Sequence, residues 1–115
     1  MLIRRRPDPA LAHIRLQTEA ITDWPSFHAE CRRALGFPDF YGATMNAWID
    51  CMSSLEDDDG MVGIRLGTGE LLLLEIPNIA ALNARVPEIV DALVECTAFV
   101  NQQRYTEPRI ALVLS

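Results

Sequence analysis

Four consecutive leucines, Leu71 to Leu74, between Glu70 and Glu75, constrain this chain more than any other stretch. Gly67-Thr68-Gly69 precedes the run as a turn, and Ile76-Pro77-Asn78 breaks it. A continuous apolar run closed at both ends by turn signals suits a strand covered on both faces. The stretches around it then have to supply the cover, and their patterns are helical.

Residues His13 to Ile21 place Ile14 and Leu16 in alternation with polar neighbours, which predicts a first strand. Thr22-Asp23 provides a cap, and Pro25 falls in the first turn, where a missing amide matters little. Phe27, Cys31, Ala34 and Leu35 form the apolar side of a helix over about 24 to 35, closed by Gly36. A loop built on Gly36, Pro38 and Gly42 leads to Thr44, a suitable N-cap for a helix over about 45 to 55. Met45, Trp48, Met52 and Leu55 form its apolar stripe. The adjacent stripe, Asn46, Ile49, Asp50 and Ser53, mixes amide, aliphatic, carboxylate and hydroxyl groups, as an interaction face does.

Acidic residues 56 to 59 oppose the dipole at the C-terminal end of that helix and predict its stop. Met61 to Leu66 reads as a short strand that would pair as an antiparallel edge with the 71–75 run. Ile79 to Leu82 reads as a helical turn, and Pro87 opens a helix to about Gln102. Its apolar side holds Val90, Leu93, Val94, Thr97 and Val100. Ile110 to Leu114 reads as a third buried strand. Strands separated by helical crossovers predict an α/β fold with a small parallel sheet of three strands and surrounding helices.

At 115 residues, half of them hydrophobic, the chain is expected to form one domain over 1–115 with a real core. Residues 1 to 11 read as a frayed basic arm. No apolar segment follows the arginines, so neither a signal peptide nor a membrane span is expected. Three cysteines without C-x-x-C spacing read as small buried thiols of a reducing compartment, which makes the cytoplasm the expected location. Residues 37 to 75 hold eight acids against one base, a net of −7 within a chain of −6. That field disfavours direct nucleic-acid binding and speeds encounter with a basic protein.

Motifs for chemistry are sparse. His28 and Cys31 share a helix face at i, i+3, so a thiol enzyme is one reading of the chain. Cys31 also falls on the apolar stripe, where packing is its simpler role. Asp39 and Asp50 form no recognisable acid/base pair, Asp57-Asp58-Asp59 lacks the alternation of a calcium loop, and Gly67-Thr68-Gly69 is too short for a phosphate loop. Neither metal nor cofactor is expected.

Pro38-Asp39-Phe40-Tyr41-Gly42 followed by Asn46-Ala47-Trp48-Ile49-Asp50-Cys51-Met52 resembles the signature of the barstar family, small intracellular inhibitors of a secreted bacterial ribonuclease. Ile110 to Ser115 is similar to that family's last strand. The resemblance runs from about His13 to Ser115, with extra residues between the central helix and the strand after it. It implies three parallel strands among helices, no catalysis, and a one-to-one complex with a basic ribonuclease or related toxin. It further implies that Asp50 enters the partner's catalytic site, flanked by Asn46, Ile49, Ser53 and Thr44 on the helix and by Phe40 and Gly42 on the loop. The free chain is expected to be a monomer. Asn46, Phe40 and Ile49 depart from the type member's aspartate, tyrosine and tryptophan, which implies a different partner or weaker inhibition. Trp48 replaces a buried aliphatic and is expected in the core with Tyr41 beside it. The same helix could instead serve a partner that is no nuclease, or self-association through Ile49.

Overall fold

The computed structural model describes residues 11–115. The expected basic arm falls outside them, except that Leu11 already belongs to the first strand. Three strands, β1 (Leu11–Arg15), β2 (Leu71–Ile76) and β3 (Ile110–Leu114), form one parallel sheet in the order β1-β2-β3. Leu11 pairs with Leu71 and Leu72 with Ile110, so β2 is the central strand. The helices are α1 (Trp24–Leu35), α2 (Met45–Met52), α3 (Ile79–Arg85) and α4 (Pro87–Gln103). This is the expected α/β architecture.

The core lies on one face of the sheet. Leu72, Leu74 and Ile76 are fully buried there with Phe27, Leu35, Trp48, Leu82 and Ile89. Leu71, Leu73 and Glu75 are only half-buried, so β2 is not covered equally on both faces as its leucine run predicts. On that second face His13 and Arg15 of β1 and Val113 of β3 are exposed. His13, without a partner in the sequence reading, meets Glu75 at 2.9 Å.

Four further expectations need correction. The first strand ends at Arg15, not Ile21. Past Leu16 the chain turns through a 3-10 segment, Thr18–Ala20, because the Gln17 amide donates to the Glu30 carboxylate of α1 at 2.6 Å. The Thr18 hydroxyl donates to Pro77 O at 2.8 Å. Residues 61–66 form no antiparallel edge strand. The Gly63 amide donates to Leu35 O and the Leu66 amide to Leu55 O, so the segment docks on the end of α1 and on the turns after α2 rather than on β2. Val94 is exposed on α4, and β3 is an edge strand on which Ile110 alone is fully buried. Asn101 blunts that edge, accepting from the Ile110 amide and donating to the Ile110 carbonyl.

Local chemistry explains the helix bounds. Asp23 caps α1 by accepting from the Ser26 amide, and the Ser26 hydroxyl answers in a capping box with Pro25 beside it. Gly36 ends α1 in the left-handed conformation at φ +69°. Thr44 caps α2 by accepting from the Ala47 amide at 3.1 Å. The helix closes three residues earlier than its stripe suggests, with Leu55 buried in the turns that follow.

Two buried ionisable groups tie α1 to its surroundings. Burial alone would raise the Glu30 carboxyl, but Arg33 and the Gln17 amide outweigh it and hold the group below its ordinary value. Burial pushes His28 below its ordinary value. The ionised Glu30 and the neutral His28 are therefore the forms that the fold favours. His28 contributes stability above its unfolded pKa of about 6.5 and loses it as the pH falls, and Glu30 does the same below about 4.5. The melting temperature is expected to fall on acidification from about pH 7 to pH 5, and the fall should be smaller in His28→Gln. Equal slopes in both proteins would remove His28 from this account.

Candidate functional site

Gly36 is in van der Waals contact with the inserted segment: a Cβ built on it would lie 2.8 Å from the Gly63 Cα. The loop then folds through a turn in which the Tyr41 amide donates to Pro38 O at 3.0 Å. Phe37 is buried and lies against the Tyr41 ring at 4.7 Å. The Tyr41 hydroxyl meets His28 Nδ1 at 2.6 Å, which pins the loop to α1. Tyr41 thus packs on Phe37 and His28, contacts that sequence spacing did not reveal. Arg32 pairs with Asp39 from the other side.

These anchors leave Phe40 outside, 77 % exposed. Gly42 has no positive φ, and a Cβ there would make ordinary contact with Ala47 at 3.6 Å. The turn does not need Gly42 for its backbone freedom. The left-handed position is Ala43, at φ +53°.

Along α2, Trp48 and Met52 of the stripe are buried and Met45 is half-buried, and Cys51, which is not on the stripe, is buried beside them. Asn46 and Asp50 are exposed, and Ile49 is half-buried against the core. Thr44 spends its hydroxyl oxygen on the cap, and the Ser53 hydroxyl donates to Ile49 O at 2.6 Å. The seven site residues therefore differ in kind. Asp50, Asn46 and Phe40 present side chains without hydrogen bonds among the described residues, Ile49 presents one edge, Gly42 presents backbone, and Thr44 and Ser53 shape the helix ends.

The acids of residues 37–75 are mostly engaged. Asp39 meets Arg32, Glu56 meets Arg109 at 3.2 Å, Asp58 meets Arg65 at 3.8 Å and Glu75 meets His13. Asp59 accepts from Ser54 and the Met61 amide, and Glu70 accepts from the Gly67 amide. Among the described residues, only Asp50 and Asp57 of this set take neither a hydrogen bond nor an ion pair. Asp50 also lines a groove of about 200 Å³ with Phe40, Tyr41, Ala47, Cys51 and Met61. A larger groove of about 620 Å³ lies beside Arg65, Thr68 and Arg109. There Arg109 is held by Glu56 and by Gly67 O, so it pins the chain before β2 to the start of β3.

The thiol-enzyme reading finds no support in this geometry. Cys31 is fully buried, and burial pushes its thiol far above the ordinary range. The buried Trp48 indole N–H has no hydrogen-bond partner among the described residues. The His28 ring is occupied by Tyr41 and stacks on Trp24. Burial likewise pushes the Cys51 thiol up to about 11, with Asp50 and Asp59 adding to it. Among the described residues, all three cysteines are free and no group of His, Cys, Asp or Glu is placed to hold a metal. No helix there is long and apolar enough to cross a membrane.

A family model described as Barstar (barnase inhibitor) matches residues 11–114. None of the curated proteins matches the sequence. The three-stranded parallel sheet, the loop entering α2 and the match over nearly the whole described chain agree, and the chain belongs to the Barstar family.

Proposed function

We propose that this protein inhibits a basic ribonuclease, or a toxin of related charge, by seating α2 and the loop before it in the partner's catalytic cleft. A nuclease cleft is cationic because it must hold phosphate, so a carboxylate displayed on a rigid helix can take the place of a substrate phosphate. The observation that carries this reading is Asp50: exposed, mid-helix, and without a partner among the described residues, while most neighbouring acids have one. Asn46 and Ile49 flank it on α2, Phe40 and Gly42 approach from the loop, and Thr44 and Ser53 hold the helix ends in shape. The net charge of −7 in this segment steers a basic partner toward the face. No turnover, metal or cofactor enters the mechanism.

Asn46 offers an amide where the family's type member has a second carboxylate, and Ile49 offers a small aliphatic edge. The partner accordingly pairs one strong cationic site with Asp50 and meets the rest of the face through apolar contact. The test is capture of the partner from the native cells on immobilised protein, followed by an RNA-cleavage assay. Ribonuclease activity in the captured material should fall to nothing at one equivalent of added protein. Captured protein without such activity would favour a non-nuclease interaction module.

A further inference from the structure

The extra segment after α2 is held by two backbone hydrogen bonds and one close backbone contact, at the end of α1, at the turns after α2 and at the start of the loop. The Gly63 amide donates to Leu35 O at 2.8 Å, the Leu66 amide donates to Leu55 O at 2.7 Å, and the backbones of Gly36 and Gly63 touch. Asp59 closes the turn before Met61 by accepting from Ser54 at 3.1 Å and from the Met61 amide at 3.1 Å. Met61 lines the same groove as Phe40, and Asp50 is among its walls. Its lining is otherwise apolar: Phe40, Tyr41, Ala47, Cys51 and Met61.

We propose that this segment belongs to the partner-binding face and that Met61 is a specificity-determining residue, forming with Phe40 a groove for the aliphatic stem of a partner arginine whose guanidinium reaches Asp50. The inference rests on the inhibitor reading and narrows it to one side chain. An apolar channel with a single carboxylate that is unpaired among the described residues matches a residue that is aliphatic along its length and cationic at its tip. Arginine fits better than lysine. Its planar head can take two parallel bonds to a carboxylate and stack on an aromatic face, and the exposed Phe40 ring supplies that face. The thioether of Met61 is flexible and polarisable, which suits a wall that must close on a stem. The surrounding excess of acid favours such a cation over a neutral apolar side chain.

The test uses the whole protein carrying 13C-labelled methionine methyls, titrated with acetyl-Gly-Arg-Gly-amide. The same peptides with citrulline, which keeps the stem without the charge, and with tryptophan serve as comparisons. The Met61 methyl signal is expected to move and saturate with the arginine peptide. The citrulline peptide, or the Asp50→Asn protein, should bind roughly tenfold more weakly, the size of one lost charge-assisted hydrogen bond. Equal binding of arginine and citrulline peptides, stronger binding of the tryptophan peptide, an unmoved Met61 signal, or a shift that follows protein concentration alone would each overturn the proposal. Two variants separate this failure from failure of the parent reading. Met61→Lys should lose inhibition of the captured ribonuclease by at least about tenfold, and Met61→Leu should keep it. Undiminished inhibition by Met61→Lys removes Met61 from the interface and leaves the inhibitor reading standing. Absence of inhibition by the unaltered protein removes that reading itself.

Discussion

Gly36→Ala is expected to destabilise the fold by on the order of 3 kcal/mol, from two independent causes. The first is conformational: Gly36 ends α1 at φ +69°, where an L side chain costs roughly 1–2 kcal/mol. The second is steric. A Cβ there would sit 2.8 Å from the Gly63 Cα and 2.9 Å from its nitrogen, and neither is the movable end of a side chain. Backbone must shift, and forced overlap of this kind typically costs about 1–3 kcal/mol. Gly60→Ala separates the two causes, because Gly60 has φ +77° but nothing within 4 Å of its would-be Cβ. That variant should lose only the conformational part. Denaturant titration of both proteins checks this, and equal losses would show that the Gly36–Gly63 contact contributes nothing. The segment that this contact holds also contributes Met61 to the groove lined by Asp50.

Much of this architecture could be read from local chemistry. The capping box at Asp23, the left-handed stop at Gly36, the Thr44 cap and the stripe ending in Leu55 all act within a few residues, so the sequence displays them directly. The leucine run identified the central strand for the same reason. The failures share a different cause. Residues 14 to 16 alternate as a strand does, yet Gln17-Thr18-Glu19 leave the pattern and a carboxylate thirteen residues away takes the Gln17 amide, which ends the strand. Residues 61 to 66 also alternate, yet Gly63 finds Leu35 and Gly36 and leaves the sheet without a fourth strand. Propensity proposes a strand, but long-range backbone partners decide whether one forms.

At the site, spacing placed Asp50 and Asn46 on one helix face and the structure agrees. Spacing could not show that Thr44 and Ser53 spend their hydroxyls within the helix. Nor could it show that His28 reaches Tyr41, or that the left-handed residue beside Gly42 is an alanine. Gly42 looked like the turn residue by type alone. The groove with Met61 joins residues from three stretches of chain, and no one-dimensional pattern records it.

The second large effect concerns binding. Asp50→Ala is expected to weaken the complex by about 2–5 kcal/mol, the general range, to which complexes of this family contribute, for removing one member of a desolvated charge pair. Most of that loss would arise because cations in the partner's cleft remain buried without their acceptor. Asp58 is the proper comparison: it carries the same charge in the same acidic segment, but it is exposed and already 3.8 Å from Arg65. Its removal should slow association slightly and change affinity by less than about 1 kcal/mol, a contribution that salt suppresses. The decisive measurement is a titration of the partner's ribonuclease activity with Asp50→Ala and Asp58→Ala side by side at moderate salt. Inhibition should fall by more than about thirtyfold for the first and remain near that of the unaltered protein for the second. Similar losses from both would mean that diffuse acidity, rather than one placed carboxylate, holds the partner.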